Sequence, residues 1–241
     1  MEKEKKKSYD KVVRNVLFLL LCIAIGFTFR GGARLVSSRR IATGGQEREK
    51  PCVIIDAGHG GADPGKVGVD GSLEKDINLK IAIKLAAFLT AADVDVVLTR
   101  ETDEDLYEEN VSNKKVQDMK NRVALIEEKK PVLTVSIHQN SYHEEYVHGA
   151  QVFYYGASEE SKALAERIQQ VLAAEIDPDN ARQAKANESY YLLKKTSSPI
   201  VIVECGFLSN YEEAQKLSSE LYQEKTAWAI HLAILQYISA K

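Results

Sequence analysis

Short apolar runs alternate along this chain with longer stretches of helical pattern, and that alternation restricts the fold more than any other feature. Val53–Ile55 and Ile200–Val203 are apolar without a break, and Val132–Ile137 is interrupted only by Thr134 and Ser136. Strands of that kind are buried on both faces, which requires helices above and below a largely parallel sheet. The pattern predicts strands at Cys52–Asp56, Val94–Thr99, Val132–Ile137, Ala150–Tyr155, Tyr190–Leu193 and Ile200–Glu204. It predicts helices at Asp76–Thr90, Lys114–Glu128, Glu159–Glu175, Tyr211–Ser219 and Leu221–Ser239. In the helix from Glu159, Leu164, Ile168, Val171 and Leu172 share one side and Ser158 is placed to cap the amino end. The segment from Asp76 is apolar nearly all round and should be deeply packed. The expectation is a three-layer α/β domain.

The amino terminus is different in kind. Lys3, Lys5, Lys6, Lys7, Lys11 and Arg14 precede the apolar run Val16–Phe29, which is shorter than the roughly 20 residues of a spanning helix and within the range of a signal core. Gly31-Gly32-Ala33 followed by Arg34 is a poor cleavage site, so residues 1–33 read as an uncleaved membrane anchor rather than a cleaved signal. Residues 34–50 mix Ser, Gly, Gln and charge without periodicity and read as a linker to a catalytic region at 51–241. Net charge is -3, which gives no electrostatic case for nucleic acid. Cys52 begins one expected strand and Cys205 follows the end of another, a separation beyond the roughly 7 Å Cα reach of a disulfide. Two buried thiols are expected.

Four residues carry the chemistry. His59 lies in Asp56-Ala57-Gly58-His59-Gly60-Gly61 just beyond a strand, Glu74 opens a helix, His138 ends a strand, and Glu204 closes another. Ligands at strand ends converge in an open α/β sheet even when far apart in sequence. Two histidines and a carboxylate suit a single zinc ion with a fourth position left for water, and Glu204 is a natural general base for that water. Each residue has a plainer reading. The His59 loop could bind phosphate, but the Gly-Lys-Ser/Thr ending of a P-loop is missing. Glu74 could be a solvated acid favoured by the helix dipole, His138 a satisfied core histidine, and Glu204 a fourth ligand or a structural acceptor. Asp56 could orient a histidine or cap its turn. His143 and His148 read as rim residues and His231 as structural. A compact His-Glu-x-x-His helix and a Gly-x-Ser-x-Gly elbow are both absent, which excludes those protease and serine hydrolase classes.

Five stretches, DAGHGGADPG (Asp56–Gly65), LEKDINL (Leu73–Leu79), TRETD (Thr99–Asp103), SIHQNS (Ser136–Ser141) and VECGFLSN (Val203–Asn210), occur in an order that resembles the zinc-dependent N-acetylmuramoyl-L-alanine amidases, above all their small, membrane-anchored, germination-specific branch. The resemblance implies a twisted, mostly parallel six-stranded sheet between helices. It implies one Zn2+ ion on His59, Glu74 and His138, with Glu204 catalytic. The implied substrate is peptidoglycan, cut between N-acetylmuramic acid and L-alanine. Implied too are a membrane-anchored or secreted location outside the cytoplasm, in a spore former between the forespore membranes, and an unidentified regulatory protein partner. Arg100 and Arg122 match arginines of the family pattern and are expected in structural ion pairs, while Arg182, Lys185 and Tyr191 are candidates for the groove wall. The connection from Ser141 to His148 is too short for the inhibitory helix carried by some members. The alternatives are a zinc peptidase trimming stem peptides and a non-catalytic, membrane-anchored wall-binding protein.

Overall fold

The computed structural model describes residues 50–107 and 111–241; the expected anchor at 1–33 and all but the last residue of the expected linker at 34–50 lie outside the described residues. Six strands, β1 (Cys52–Ala57), β2 (Asp95–Leu98), β3 (Leu133–Asn140), β4 (Gln151–Tyr154), β5 (Lys185–Ala186) and β6 (Ile200–Phe207), form one sheet in the order β2-β1-β3-β6-β4-β5. All neighbouring pairs are parallel except β4 with β6. The helices are α1 (Glu74–Ala91), α2 (Lys114–Lys129), α3 (Glu159–Glu175), α4 (Tyr191–Lys195), α5 (Tyr211–Ser218) and α6 (Glu220–Ser239). Among the described residues no helix is long and apolar enough to cross a membrane.

Strand alternation sorts the residues onto two faces. Val53, Ile55 and Ala57 of β1, Leu133, Val135 and Ile137 of β3, and Val201, Val203 and Cys205 of β6 join the large core under α1, α3 and α6. Ile54, Ile200 and Ile202 point the other way, into a smaller cluster with Ile126 of α2 and Leu192 and Leu193 of α4. The even-numbered positions that continue this second face are Asp56, Ser136, His138 and Glu204. Cys205 is therefore buried on the face opposite Glu204, while Cys52 is only partly buried; neither thiol is in a disulfide among the described residues.

Helix starts follow ordinary capping chemistry. Ser158 accepts from Ser161 N at 3.2 Å, as expected, and Asn113 and Asn210 cap α2 and α5 in the same way. The first helix and the short α4 have no side-chain cap. In α1 the amides of Glu74 and Lys75 donate instead to Lys66 O (2.9 Å) and Pro64 O (3.2 Å) of the preceding loop. The amino end of α1 is thus tied to the loop that follows His59.

One expected element is wrong. Tyr190–Leu193 is not a strand; α4 begins there, and the strand that completes the sheet is β5, the exposed pair Lys185–Ala186. Asn187 Oδ1 accepts from the amides of Ser189 (2.7 Å) and Tyr190 (3.0 Å), which turns the chain into the helix. Leu192 and Leu193 are adjacent and are buried in one cluster. Alternation in a strand would send one of them to the opposite face; a helical turn places both inward.

Candidate active site

The carboxyl ends of β1, β3 and β6 lie side by side, with His138 in register with Glu204. His59 follows β1, and Glu74 enters as the first residue of α1. Glu74 Oε1 lies 3.2 Å from His59 Nε2 and 2.9 Å from His138 Nδ1. One ligand atom from each of the three residues falls within 4.8 Å of the others, a group that could hold a metal ion. Glycines leave the room. A Cβ on Gly58 would stand 2.2 Å from His138 Nε2, and one on Gly65 would stand 2.5 Å from Glu74 Oε2. Two imidazoles and a carboxylate meeting, with no fourth protein ligand in the group among the described residues, suit an open metal site.

Each ligand candidate is held by other groups. His59 sits in the left-handed region at φ 62, uncommon for a residue other than glycine. Its carbonyl accepts from Arg122 Nη2 at 2.9 Å, and its Nδ1 meets Asp63 Oδ2 at 3.0 Å, which leaves Nε2 facing Glu74. Asp63 is itself fixed by paired backbone bonds with Gly60 (3.1 and 2.9 Å). This carboxylate-histidine contact is the usual way a metal-binding histidine is oriented. Glu74 also accepts from Lys66 N (2.8 Å) and Gln139 N (3.1 Å). Burial pushes its carboxyl up, yet the hydrogen bonds from His138 and His59 outweigh this and hold it well below the ordinary range. Burial lowers His138 and the Glu74 carboxylate raises it, with the net shift upward.

Asp56 neither orients a histidine nor caps the turn. It accepts from Thr99 Oγ1 (2.9 Å), Ser136 Oγ and Arg122 Nη1 (2.5 Å) beneath the site. Burial opposes its ionisation, but Arg122 and Ser136 hold its pKa down to about 2. Arg122 is in an ion pair, as expected, with Asp56 and with Asp118 at 2.7 Å. Arg100 makes no such pair among the described residues. It donates to four carbonyls, Ala57 O (3.0 Å), Gly58 O (3.1 Å), Lys75 O (2.7 Å) and Thr102 O (3.1 Å), and so fastens the His59 loop to the first turn of α1.

Glu204 is buried and lines the same cavity of about 580 Å³ as His59, Glu74 and His138. Burial raises its pKa, with His138 pulling the other way. Oε1 accepts from the Tyr190 hydroxyl at 3.2 Å, whereas Oε2 has no partner among the described residues. Burial, then the Glu204 charge, raises Tyr190 above its ordinary value. Met119, Leu192 and Ile202 give the cavity an apolar wall, and Lys115 and Tyr191 also line it. Arg182 and Lys185 do not: Arg182 donates to His148 O (2.7 Å) and lies over the Phe207 ring, and Lys185 is in β5. His143 and His148 also stay outside the cavity, and His231 packs against Phe88 and Trp228. Sequence reasoning missed Asp63 and Tyr190. Asp63, four residues beyond His59 in a turn, was the more visible of the two.

The sequence profile of the N-acetylmuramoyl-L-alanine amidases matches residues 53–236. The chain belongs to that amidase family. It is 38% identical over 192 residues to the germination-specific N-acetylmuramoyl-L-alanine amidase of Bacillus subtilis, covering 78% of this chain and 80% of that one. Among solved structures, the CwlD amidase of Clostridioides difficile, determined in complex with the GerS lipoprotein, superposes with a TM-score of 0.78 at 41% identity, over 80% of this chain and 100% of that one. The amidase AmiC2 of Nostoc punctiforme superposes with a TM-score of 0.69 at 34% identity, over 78% of this amidase and 97% of its own length. The fold is the one these amidases share, a mostly parallel six-stranded sheet flanked by helices.

Proposed function

We propose that this amidase hydrolyses the amide joining N-acetylmuramic acid to L-alanine in peptidoglycan, with one zinc ion held by His59, Glu74 and His138 and with Glu204 as general base. The observation that carries the reading is the convergence of those three ligand candidates within 4.8 Å in the cavity that Glu204 also lines. When bound, zinc supplies Lewis acidity, polarising the scissile carbonyl and acidifying a water. Glu204 takes a proton from the attacking water as the new C–O bond forms. It then delivers that proton to the alanine nitrogen as the C–N bond breaks, leaving a free lactyl carboxylate and a free amine. A carboxyl raised by burial suits both halves of that transfer. Asp63 keeps the His59 ring turned with Nε2 inward.

The germination-specific relative in B. subtilis supports a role in spore cortex maturation, where removal of the stem peptide would precede muramic δ-lactam formation. The C. difficile structure supports a protein partner for this chain as well. The amino-terminal segment 1–33 would anchor the catalytic region outside the cytoplasm, between the forespore membranes, through the linker at 34–50.

Glu204→Gln tests the chemistry. Appearance of free L-alanine amino groups in purified peptidoglycan should fall by about 10²–10⁴-fold, the usual worth of a general acid-base group, with zinc content and Tm retained. Full activity in this variant refutes the assignment. Mass spectrometry of spore wall fragments from a deletion strain tests the biology: loss of muramic δ-lactam is expected, and its persistence would remove the cortex role.

A further inference from the structure

We infer that Tyr190 is a positioning residue for Glu204, its hydroxyl engaging one carboxylate oxygen and leaving the other for the reaction. The inference rests on the reading of Glu204 as the base. A glutamate's terminal torsion is broad and nearly two-fold, so a carboxylate held only by its stem can turn in place. Here the two oxygens are not equivalent: Oε1 accepts from Tyr190 Oη at 3.2 Å, and Oε2 is buried with no partner among the described residues. That distance is long for an O–H···O bond, a common feature of catalytic contacts before substrate closes them.

Tyr190 is itself fixed on every side that matters. Its amide donates to Asn187 Oδ1 at 3.0 Å, and Asn187 N donates to Tyr154 O at 2.8 Å, which pins the turn to β4. Its ring meets Phe153 edge to face, with centroids 5.7 Å apart at 74°. The fourth strand pairs with β6 in the register Gln151↔Glu204. Sheet pairing therefore sets the position of the donor relative to the acceptor. Tyr190 also packs against the apolar cluster that includes Leu192 and Leu193 of α4. The ring packs, and the hydroxyl alone reaches the carboxylate, so the two roles can be separated by removing one oxygen atom.

The test is Tyr190→Phe in the full chain, assayed on a soluble disaccharide-peptide. The variant keeps the ring against Phe153, so Tm and zinc content should be unchanged. With a hydrogen bond to a charged group lost, kcat should fall about 10- to 100-fold while KM holds. On a Glu204→Gln background the same change should cause no further loss, because the two side chains act as one unit. An unchanged kcat, a loss confined to KM, or an equal additional loss on the Glu204→Gln background overturns the inference. Activity retained in Glu204→Gln alone would overturn the base assignment instead. An inactive Glu204→Gln beside an unaffected Tyr190→Phe defeats only the role of the tyrosine.

Discussion

The two faces of the sheet are built from the same strands and do opposite things. Odd-numbered residues of β1, β3 and β6 enter an apolar core closed by α1, α3 and α6. Even-numbered residues of those strands begin with Ile54, Ile200 and Ile202 and then turn polar toward the carboxyl ends, as Asp56, Ser136, His138 and Glu204. On the first face stability comes from burial without directional demands. On the second, every charged group needs a partner, and the partners come from far along the chain: Arg122 for Asp56, Glu74 for His138, Tyr190 for Glu204. The lesson is that one period-two pattern can carry the core and the chemistry together, provided helices α2 and α4 leave part of the second face open.

Three substitutions can break or sharpen that division. The largest effect on stability is expected at Arg122, which joins the buried Asp56 to the carbonyls of Ala57 and His59. Arg122→Ala leaves a buried carboxylate without its cation and should cost about 3–5 kcal/mol in denaturant unfolding, with zinc binding also weakened. A loss under 1 kcal/mol would show that the polar face is held by something else. Leu85→Ala, in the fully buried apolar face, should cost about 2–5 kcal/mol and leave kcat of the folded enzyme unaltered. A parallel drop in kcat would mean the faces are coupled. The smallest effect is expected at Asp63→Asn, where Tm should hold but zinc affinity, read by competition with a chromophoric chelator, should weaken about 10- to 100-fold. Unchanged affinity would show that His59 needs no orienting carboxylate.

Much of this architecture was legible in the primary structure because it is written in local pattern. Apolar runs, continuous in β1 and β6 and broken only by Thr134 and Ser136 in β3, marked these strands, and their ends marked where His59, His138 and Glu204 would meet. Ser158 was visible as a cap. The failures have physical causes. Tyr190–Leu193 is too short for period alone to separate strand from helix, and the deciding contact is the Asn187 turn. The fifth strand is two exposed residues with no apolar signature. Arg100 was expected in an ion pair, but its partners are backbone carbonyls, which no side-chain pattern reveals. Asp56 was read by its nearness to His59 in sequence, whereas its cation arrives from α2.

Gly58 carries a consequence of its own. Its backbone is not in the left-handed region, so no torsional rule forbids an alanine there; the obstacle is the His138 ring 2.2 Å from where a methyl would sit. The smallest of all side-chain additions would act as a built-in plug, wedged against an imidazole while strand pairing and helix caps stay as they are. Tolerance to mutation at this position is therefore governed by a neighbour 80 places downstream, and a survey of conformational preference would score the lesion as harmless.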